Sequence, residues 1–584
     1  MPLNNHEVSL ASNPIDLRIK RSRVSMHKKV ATTLDSGRLV PIFWRAVLPG
    51  STIQMSINSF VRMTTPIHPV MDSAFVDIVA FSIPLRLVYD HWEELRGENS
   101  NTYWEVPTEY TIPQITSPAS TGWIVGGLAD QLGFPPEVPG YSVSSLPFKA
   151  YALVWNDWWR AESISQPVSI DTGDSNISGK NNVDADYVTE GYLGGALLPV
   201  ARFHDVFSSA LMQPQAGEAA IIPVADVTDT YAPVYAYNLG TGSFVPDFTT
   251  KRDDNFRALK WGQVSLDNSV TPNTWKLEPY PSGNKNVIMH GVGETDASTL
   301  VNTPTVDAAI APINLYANLS DMSGTIGVTI NDLRNAFAIQ HVLEVLNRGG
   351  TRYKEILESA FGVTSPDARL QRPELLGMRR IPVMMQEVNQ TSSTDSTSPL
   401  GTPGANSKTF DYDSVLFQHS FVEDCLVMIT ACVRPSRTYA QGVPPWSRKR
   451  SRFDFYYPQM QGLGDKPIPN SMIYIQSDSV TDSDGNVVND LPFGYQQAWF
   501  EEFTDYNEVR GLFRPQVNQT LASWNYSDYY TQLPTLSHEW MYDAGNISRT
   551  ISIQNQPEFN AQFEFNSIWT LPIQVGRAPG LDVL

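Results

Sequence analysis

The sequence predicts a mainly β fold, interrupted by one helical block and one long polar insertion. Three observations predict it. Segments near both ends alternate apolar and polar residues with period two, the mark of half-buried strands. A continuous apolar run, CLVMITACV (Cys425–Val433), lies past the middle of the chain. Charged residues make up only 17% of the 584, replaced by Asn, Ser, Thr and Gln together with 42 Pro and 37 Gly. That composition favours long ordered loops and turns over surface helices.

Each element has its own signal. Ser51–Met63 sets Ile53, Met55, Ile57, Val61 and Met63 against Thr52, Gln54, Ser56, Asn58 and Arg62. Leu39–Leu48 and Ala74–Ile83 are strand-like, the latter apolar on both faces, as in a sandwich interior. Near the far end Phe563, Phe565, Trp569 and Leu571 alternate with Gln562, Glu564, Asn566 and Thr570. Strands so widely dispersed imply high contact order and large insertions between them. Helices are expected at Leu87–Gly97, Leu146–Ala161 and Asp332–Asn347. In the last, Leu333, Phe337 and the Val342–Leu346 cluster keep helical spacing, and Gly349 or Gly350 supplies a left-handed C-cap. Thr351 caps a following helix that stops at Gly362. Three segments organise the chain: 1–223, a polar insertion 224–319 with weak strands and scattered Tyr and Trp, and 320–584. Thr391–Ser407 reads as a polar mobile loop.

Charge is uneven. The chain carries −20 overall, yet Met1–Arg45 has eight basic residues against three acids, a net of +5. Ala161–Val200 has six acids against one Lys, a net of −5. A basic end on an acidic body points to two surfaces in different environments. Cys425 and Cys432 lie seven apart, so on a strand they face opposite sides and do not bond. No apolar run approaches the ~20 residues of a membrane span, and no apolar segment follows the basic RIKRSR stretch as in a signal peptide. The expected setting is the cytoplasm of the producing cell.

Catalytic and metal patterns are weak. His538-Glu539-Trp540 lacks the second His of a zinc helix. Asp482-Ser483-Asp484-Gly485-Asn486 has its glycine misplaced for a calcium loop and reads as an Asp-Gly hairpin turn. There is no GxSxG, and nothing selects a carboxylate pair from many. No cofactor or metal is expected. One motif has functional weight: PWSRKRSRFDFYY (Pro445–Tyr457) places Arg448, Lys449, Arg450 and Arg452 among Trp446, Phe453, Phe455, Tyr456 and Tyr457. Cations that neutralise phosphates beside rings that stack bases suit single-strand binding. The competing reading is a solvated basic loop with its rings turned into the core. A second basic group, Arg18, Lys20, Arg21, Arg23, Lys28 and Lys29, reads as an arm that reaches nucleic acid or a neighbouring chain. Aromatic segments without core periodicity, Tyr151–Trp159 and Trp524–Tyr530, are candidate contacts between copies, with Trp158, Trp159, Trp524, Tyr526 and Tyr529 as their anchors.

Several segments together resemble one family. These are Leu39–Glu98 (LVPIFWRAVLPG through HWEELRGE), ARFHDVFSSALMQPQAG (Ala201–Gly217), GGTRYKEILESAFGVTSPDARLQRPELLG (Gly349–Gly377), the PWSRKRSRFDFYYPQ run and FGYQQAWFEE (Phe493–Glu502). Across essentially its whole length the chain resembles the major capsid proteins of the Microviridae, small single-stranded DNA phages, and specifically the gokushovirus branch. The resemblance implies an eight-stranded antiparallel jelly-roll with long loops, forming a T=1 icosahedral shell. It implies that the 224–319 insertion clusters at three-fold axes as a host-contact protrusion. The implied partners are copies of the chain itself, circular single-stranded DNA, a small DNA-packaging protein, an internal scaffolding protein, a pilot protein and a host cell-surface receptor. The basic residues at 448–452 and 20–29 are then expected to face the lumen. The alternative classes are a β-rich host-binding adhesin, which usually shows repeats or a trimerising coil, and a carbohydrate-active protein, which needs a selected carboxylate pair.

Overall fold

The computed structural model describes residues 20–98, 108–181, 186–218, 330–349, 353–363, 371–389, 391, 400–401 and 403–575, together with five short strands between 234 and 317. The chain divides into two compact units, Met1–Glu218 with Val342–Leu584, and Ala219–His341.

Eight long strands of the first unit form two four-stranded antiparallel sheets. In chain order they are β1 (Ser22–Leu34), β2 (Val40–Val47), β3 (Thr52–Met63), β4 (Ala74–Pro84), β5 (Glu374–Pro382), β6 (Thr409–Ser420), β7 (Cys425–Pro435) and β8 (Phe559–Leu571). One sheet has the order β1-β8-β3-β6 and the other β5-β4-β7-β2. The first and last strands pair over their full lengths, from Ser22↔Leu571 to Leu34↔Phe559.

The alternation in β3 and β8 follows from burial of one face only. Ile53, Met55, Ile57, Phe559, Phe563, Phe565 and Trp569 pack with Val76, Ile78, Val427 and Ile429 between the sheets. The opposite face of β3 and β8 carries mainly polar residues, none of them buried. The second sheet is buried on both faces, which is why β4 and β7 read as continuous apolar runs. Its outer face supports a second core built from loop segments, with Trp123, Phe148, Tyr151, Trp155 and Phe207 at its heart. Cys425 joins the inter-sheet core and Cys432 the loop-built one. Burial pushes both thiols up, Cys425 to about 11 and Cys432 to about 12.

Several local expectations change. The basic arm is, from Ser22 onward, an edge strand; Arg18 lies outside the described residues. The Leu87–Gly97 helix is one turn, Trp92–Leu95. The aromatic helix splits into α1 (Leu146–Val154) and a π-turn, Trp155–Trp159, that swings Trp155 into the core. Part of the loop at 391–407 is ordered: Pro403–Ser407 pairs with Met385–Asn389, while 392–399 lie outside the described residues. Helix α2 (Ile330–Gly349) and helix α3 (Tyr353–Phe361) form as the spacing predicts, and α3 stops at Gly362, which adopts φ +66°. Gly349 is the last helical residue of α2 rather than a left-handed cap, and Gly350 and Thr351 lie outside the described residues. None of the described α2 residues is buried: Phe337 and Val342 are exposed, and Leu333, Leu343 and Leu346 are half-buried. The Asp482–Asn486 turn closes as expected, with Asp482 N–H donating to the Asn486 carbonyl and Gly485 at φ +84°.

The unit at 219–341 contains a three-stranded sheet (Leu315–Ala317, Val234–Asn238, Ser243–Phe244) and a hairpin of Val264–Asp267 with Thr274–Leu277. Trp275 sits on that hairpin; Trp261 and Tyr280 lie outside the described residues.

Candidate nucleic-acid and subunit interfaces

The Pro445–Tyr457 loop turns out the opposite way from a solvated basic loop with buried rings. Its rings are exposed: Trp446 by 70%, Phe453 by 57%, and Phe455, Tyr456 and Tyr457 by just over 40% each. Its cations are held. Arg448 donates to Asp490 at 2.8 Å and Asp478 at 3.2 Å. Lys449, its side chain only 6% exposed, reaches Glu502 at 2.8 Å and Glu501 at 3.4 Å. Arg450 is more open than either and lies 3.8 Å from Asp478. Arg452 lies 4.5 Å over its neighbour Phe453.

Electrostatics follow from this pairing. The hydrogen bond to Asp490 raises the Arg448 pKa, and burial opposes it less strongly. Burial lowers Lys449, but the two glutamates outweigh it and the net shift is upward. Asp454 accepts from the backbone N–H groups of Ser451 and Arg450, which pulls its carboxyl below the usual range and fixes the turn. Lys466 sits 3.2 Å over the Trp499 ring beside this cluster. A cavity of about 290 Å³ opens between Arg448, Lys449, Lys466, Phe453 and Glu501. What the loop offers a ligand is therefore exposed aromatic surface with two partly free guanidinium groups, Arg450 and Arg452, rather than four bare charges.

The N-terminal cations sit on or beside β1. Lys20, Arg21, Arg23, Lys28 and Lys29 are all exposed. Arg23 and Lys29 stand on the open polar face of the sheet, in register with Thr570 and Glu564. Lys28 leans inward, 5.3 Å over Phe43, where burial first and then Arg45 lower its pKa. Among the described contacts none joins these residues to the 448–452 cluster.

The five aromatic anchors divide. Tyr526 is 1% exposed and Trp159 9%, so both rings are spent inside one subunit. Trp158 is half-buried; its indole N–H donates to the Pro373 carbonyl at 3.0 Å, and Arg372 lies 4.7 Å over the ring. Trp524 is half-buried and stacks on His68 at 4.9 Å. Tyr529, 46% exposed, has ring surface to offer a neighbour. Periodicity did not separate these cases, because long-range packing decides their burial: Tyr526 enters the inter-sheet core and Trp159 the loop-built one.

Sequence reasoning missed a buried charge network that ties those loops together. Asp528 accepts from Arg202 at 2.8 Å, Arg437 at 2.9 Å and the Tyr530 hydroxyl at 2.8 Å. Arg202 also reaches Asp543 at 3.0 Å and lies 4.1 Å over Trp540. A second buried carboxylate, Asp77, holds Arg380 and Arg434. Arg202 comes from the ARFHDVF stretch, and the signal available was an arginine set directly between Ala201 and Phe203. Among the described residues no cluster of His, Cys, Asp or Glu is arranged to hold a metal ion, and no helix is long and apolar enough to cross a membrane. His538 donates to or accepts from the Ser165 hydroxyl at 2.9 Å and stacks on Tyr187.

Residues 14–581 match the family model described as capsid protein (F protein). The chain is 35% identical over 573 residues to capsid protein VP1 of Spiroplasma virus 4, covering 96% of both chains. It is 33% identical over 589 residues to capsid protein VP1 of Chlamydia phage 1, again 96% of each. Capsid protein VP1 of Bdellovibrio phage phiMH2K is 32% identical over 565 residues, 96% of this chain and 95% of that one.

Proposed function

The chain belongs to the capsid protein (F protein) family, and from that premise we propose how this capsid protein builds its shell and holds its genome. It is a structural major capsid protein of a gokushovirus-like member of the Microviridae; it self-assembles, and it resides in the virion. The proposal concerns the finer architecture: a T=1 icosahedral shell around circular single-stranded DNA, its subunits jelly-rolls whose connecting loops make the contacts. The observation that carries the jelly-roll reading is strand order. Two four-stranded sheets, with the first strand beside the last in one and the second beside the seventh in the other, have the double Greek-key order of that fold.

In this reading the residues between strands are the working surface. Exposed rings such as Trp446, Phe453 and Tyr529 supply contact area at low entropy cost. Arg448, Lys449, Arg450 and Arg452, with Lys20, Arg21, Arg23, Lys28 and Lys29, face the lumen and meet DNA without sequence preference. The packaging, scaffolding and pilot proteins and the host receptor are proposed partners. The insertion, read as 224–319, projects outward at three-fold axes and makes the receptor contact; its acidic, polar composition supports that placement. Electron microscopy of the purified protein with its viral companions tests the reading. Uniform small closed shells with sixty copies are expected of a T=1 assembly; open sheets, tubes or persistent monomers would overturn it.

A further inference from the structure

The open face of the β1-β8-β3-β6 sheet carries a feature that the shell reading leaves unused. Phe60 on β3 and Phe410 on β6 are register partners, and their rings stack at 4.7 Å with an interplanar angle of 26°. Tyr412, two residues along β6, continues the row at 5.8 Å and 12°. The outer two rings are exposed, Phe410 by 47% and Tyr412 by 68%. Three near-parallel rings in a row, ending in solvent at a sheet edge, are costly to leave in water.

The surroundings decide what fits them. Along β3 the same face shows Gln54, Ser56, Asn58 and Arg62; along β8 it shows Asn560, Gln562, Glu564 and Asn566. Gln562 and Asn560 lie directly beside Phe60 and Arg62 in the register. Among the described side chains on this face of β1, β3 and β8, Arg23, Lys29 and Arg62 stand against Glu564, which gives 3 − 1 = +2 on a chain of −20. On β6, Asp411 is engaged by Arg379 of the neighbouring sheet. A second copy of the chain would seek apolar cover for the rings; apart from Val415, exposed in register with Ser56, their neighbours on β3 and β8 are amides, hydroxyls and cations. A polyanion with stackable rings of its own matches both the charge and the row.

We propose that this open sheet face, with the Phe60–Phe410–Tyr412 stack at its edge, is a base-stacking platform for single-stranded DNA. The proposal rests on the reading of the protein as a genome-enclosing shell and names the chemistry of one contact within it. Base–aromatic stacking tolerates every base, since each has a π-face, and the amide and hydroxyl side chains add hydrogen bonds without a fixed sequence. Arg23, Lys29 and Arg62 neutralise the phosphates that flank the stacked bases.

Full-length protein titrated with fluorescent dT 20-mer and with an abasic 20-mer tests the proposal. Phe410→Ser/Tyr412→Ser should weaken dT binding by about tenfold for each ring removed and leave the abasic strand unchanged. Phe410→Tyr/Tyr412→Phe should restore dT affinity, which controls for folding. Lys29→Ser/Arg62→Ser should weaken both strands and flatten the salt dependence. Unchanged dT affinity in the serine variant, or equal loss for both strands, overturns the proposal. So does a serine variant that binds dT normally but no longer closes shells, because the rings would then be a subunit contact. Closed shells from wild type alongside any of these outcomes leave the shell reading standing and remove only the platform.

Discussion

Replacing Asp528 by asparagine should cost the subunit about 3 kcal/mol at neutral pH. The side chain is 1% exposed and accepts from two guanidinium groups that are themselves sealed, Arg202 at 0% and Arg437 at 4%. Asparagine keeps the shape and removes the charge, so two buried cations must share Asp543. That carboxylate is half exposed, 3.0 Å from Arg202 but 3.9 Å from Arg437. Stripping one partner from a buried pair costs roughly 3–5 kcal/mol, and the remaining carboxylate places this case at the lower end. The pH dependence has a definite sign. Burial raises the Asp528 pKa, but Arg202 and Arg437 more than reverse it and hold the carboxyl below its usual range. A depressed folded pKa means the stabilisation is complete above the unfolded value, near ~4, and is lost as pH falls through the lower folded value. Thermal unfolding followed by circular dichroism from pH 7 down to pH 3 checks both parts. Asp528→Asn should melt below wild type at pH 7 and converge toward it in acid. Equal melting at pH 7, or a gap that persists in acid, would refute the reasoning.

Further outcomes are expected. Substituting Arg448, Lys449, Arg450 and Arg452 all with Ser should lower DNA content per particle, read by the 260/280 nm ratio, more than it lowers the yield of closed shells. Arg450→Ser/Arg452→Ser should account for most of that loss, because the other two cations are already matched by carboxylates. Deleting part of 224–319 should spare shell closure and abolish adsorption to host cells; failure of the shortened chain to fold would count against an outward placement. Trp158→Ala and Trp524→Ala should each reduce shell yield and shell melting temperature; particles that assemble and melt like wild type would remove these side chains from the assembly argument. Gly194→Ala should cost subunit stability, since φ is +98° and a Cβ there would lie 2.2 Å from the Trp123 indole nitrogen. Solubility and melting temperature equal to wild type would show that this close approach is easily relieved.

Legibility in the sequence tracked the regularity of burial. β3 and β8 were plain because one face is buried and the other polar, residue by residue. β4 and β7 were plain because both faces are covered. The three strands that escaped notice each break the period. β1 places Lys28 at an inward position, where it caps the Phe43 ring. β5 carries a bulge between Leu375 and Gly377, and β6 has two irregularities, at Asp411/Ser414 and Val415/Phe417. An extra residue flips every later side chain to the other face, so alternation over the whole segment disappears. Helix α2 was legible as a helix but not in its environment, because periodic apolar residues do not say which partner covers them. The basic loop was legible in composition alone: its matching acids, Asp478, Asp490, Glu501 and Glu502, lie 30 to 53 residues away. Ring burial at Tyr526 and exposure at Tyr529, three positions on, follow from loop packing that no local pattern records.

The pairing of the first strand with the last gives the protein a clock. β8 is an interior strand, flanked by β1 and β3, yet it is translated long after both. About 500 residues separate β3 from β8, which is roughly 25–100 s of synthesis at ordinary rates. Throughout that interval the nascent chain has two orphaned edges and no finished wall to present to a neighbour. Subunits therefore become competent to meet one another only when each is whole, and a ribosome that stalls early releases a fragment that cannot poison a growing particle through this sheet.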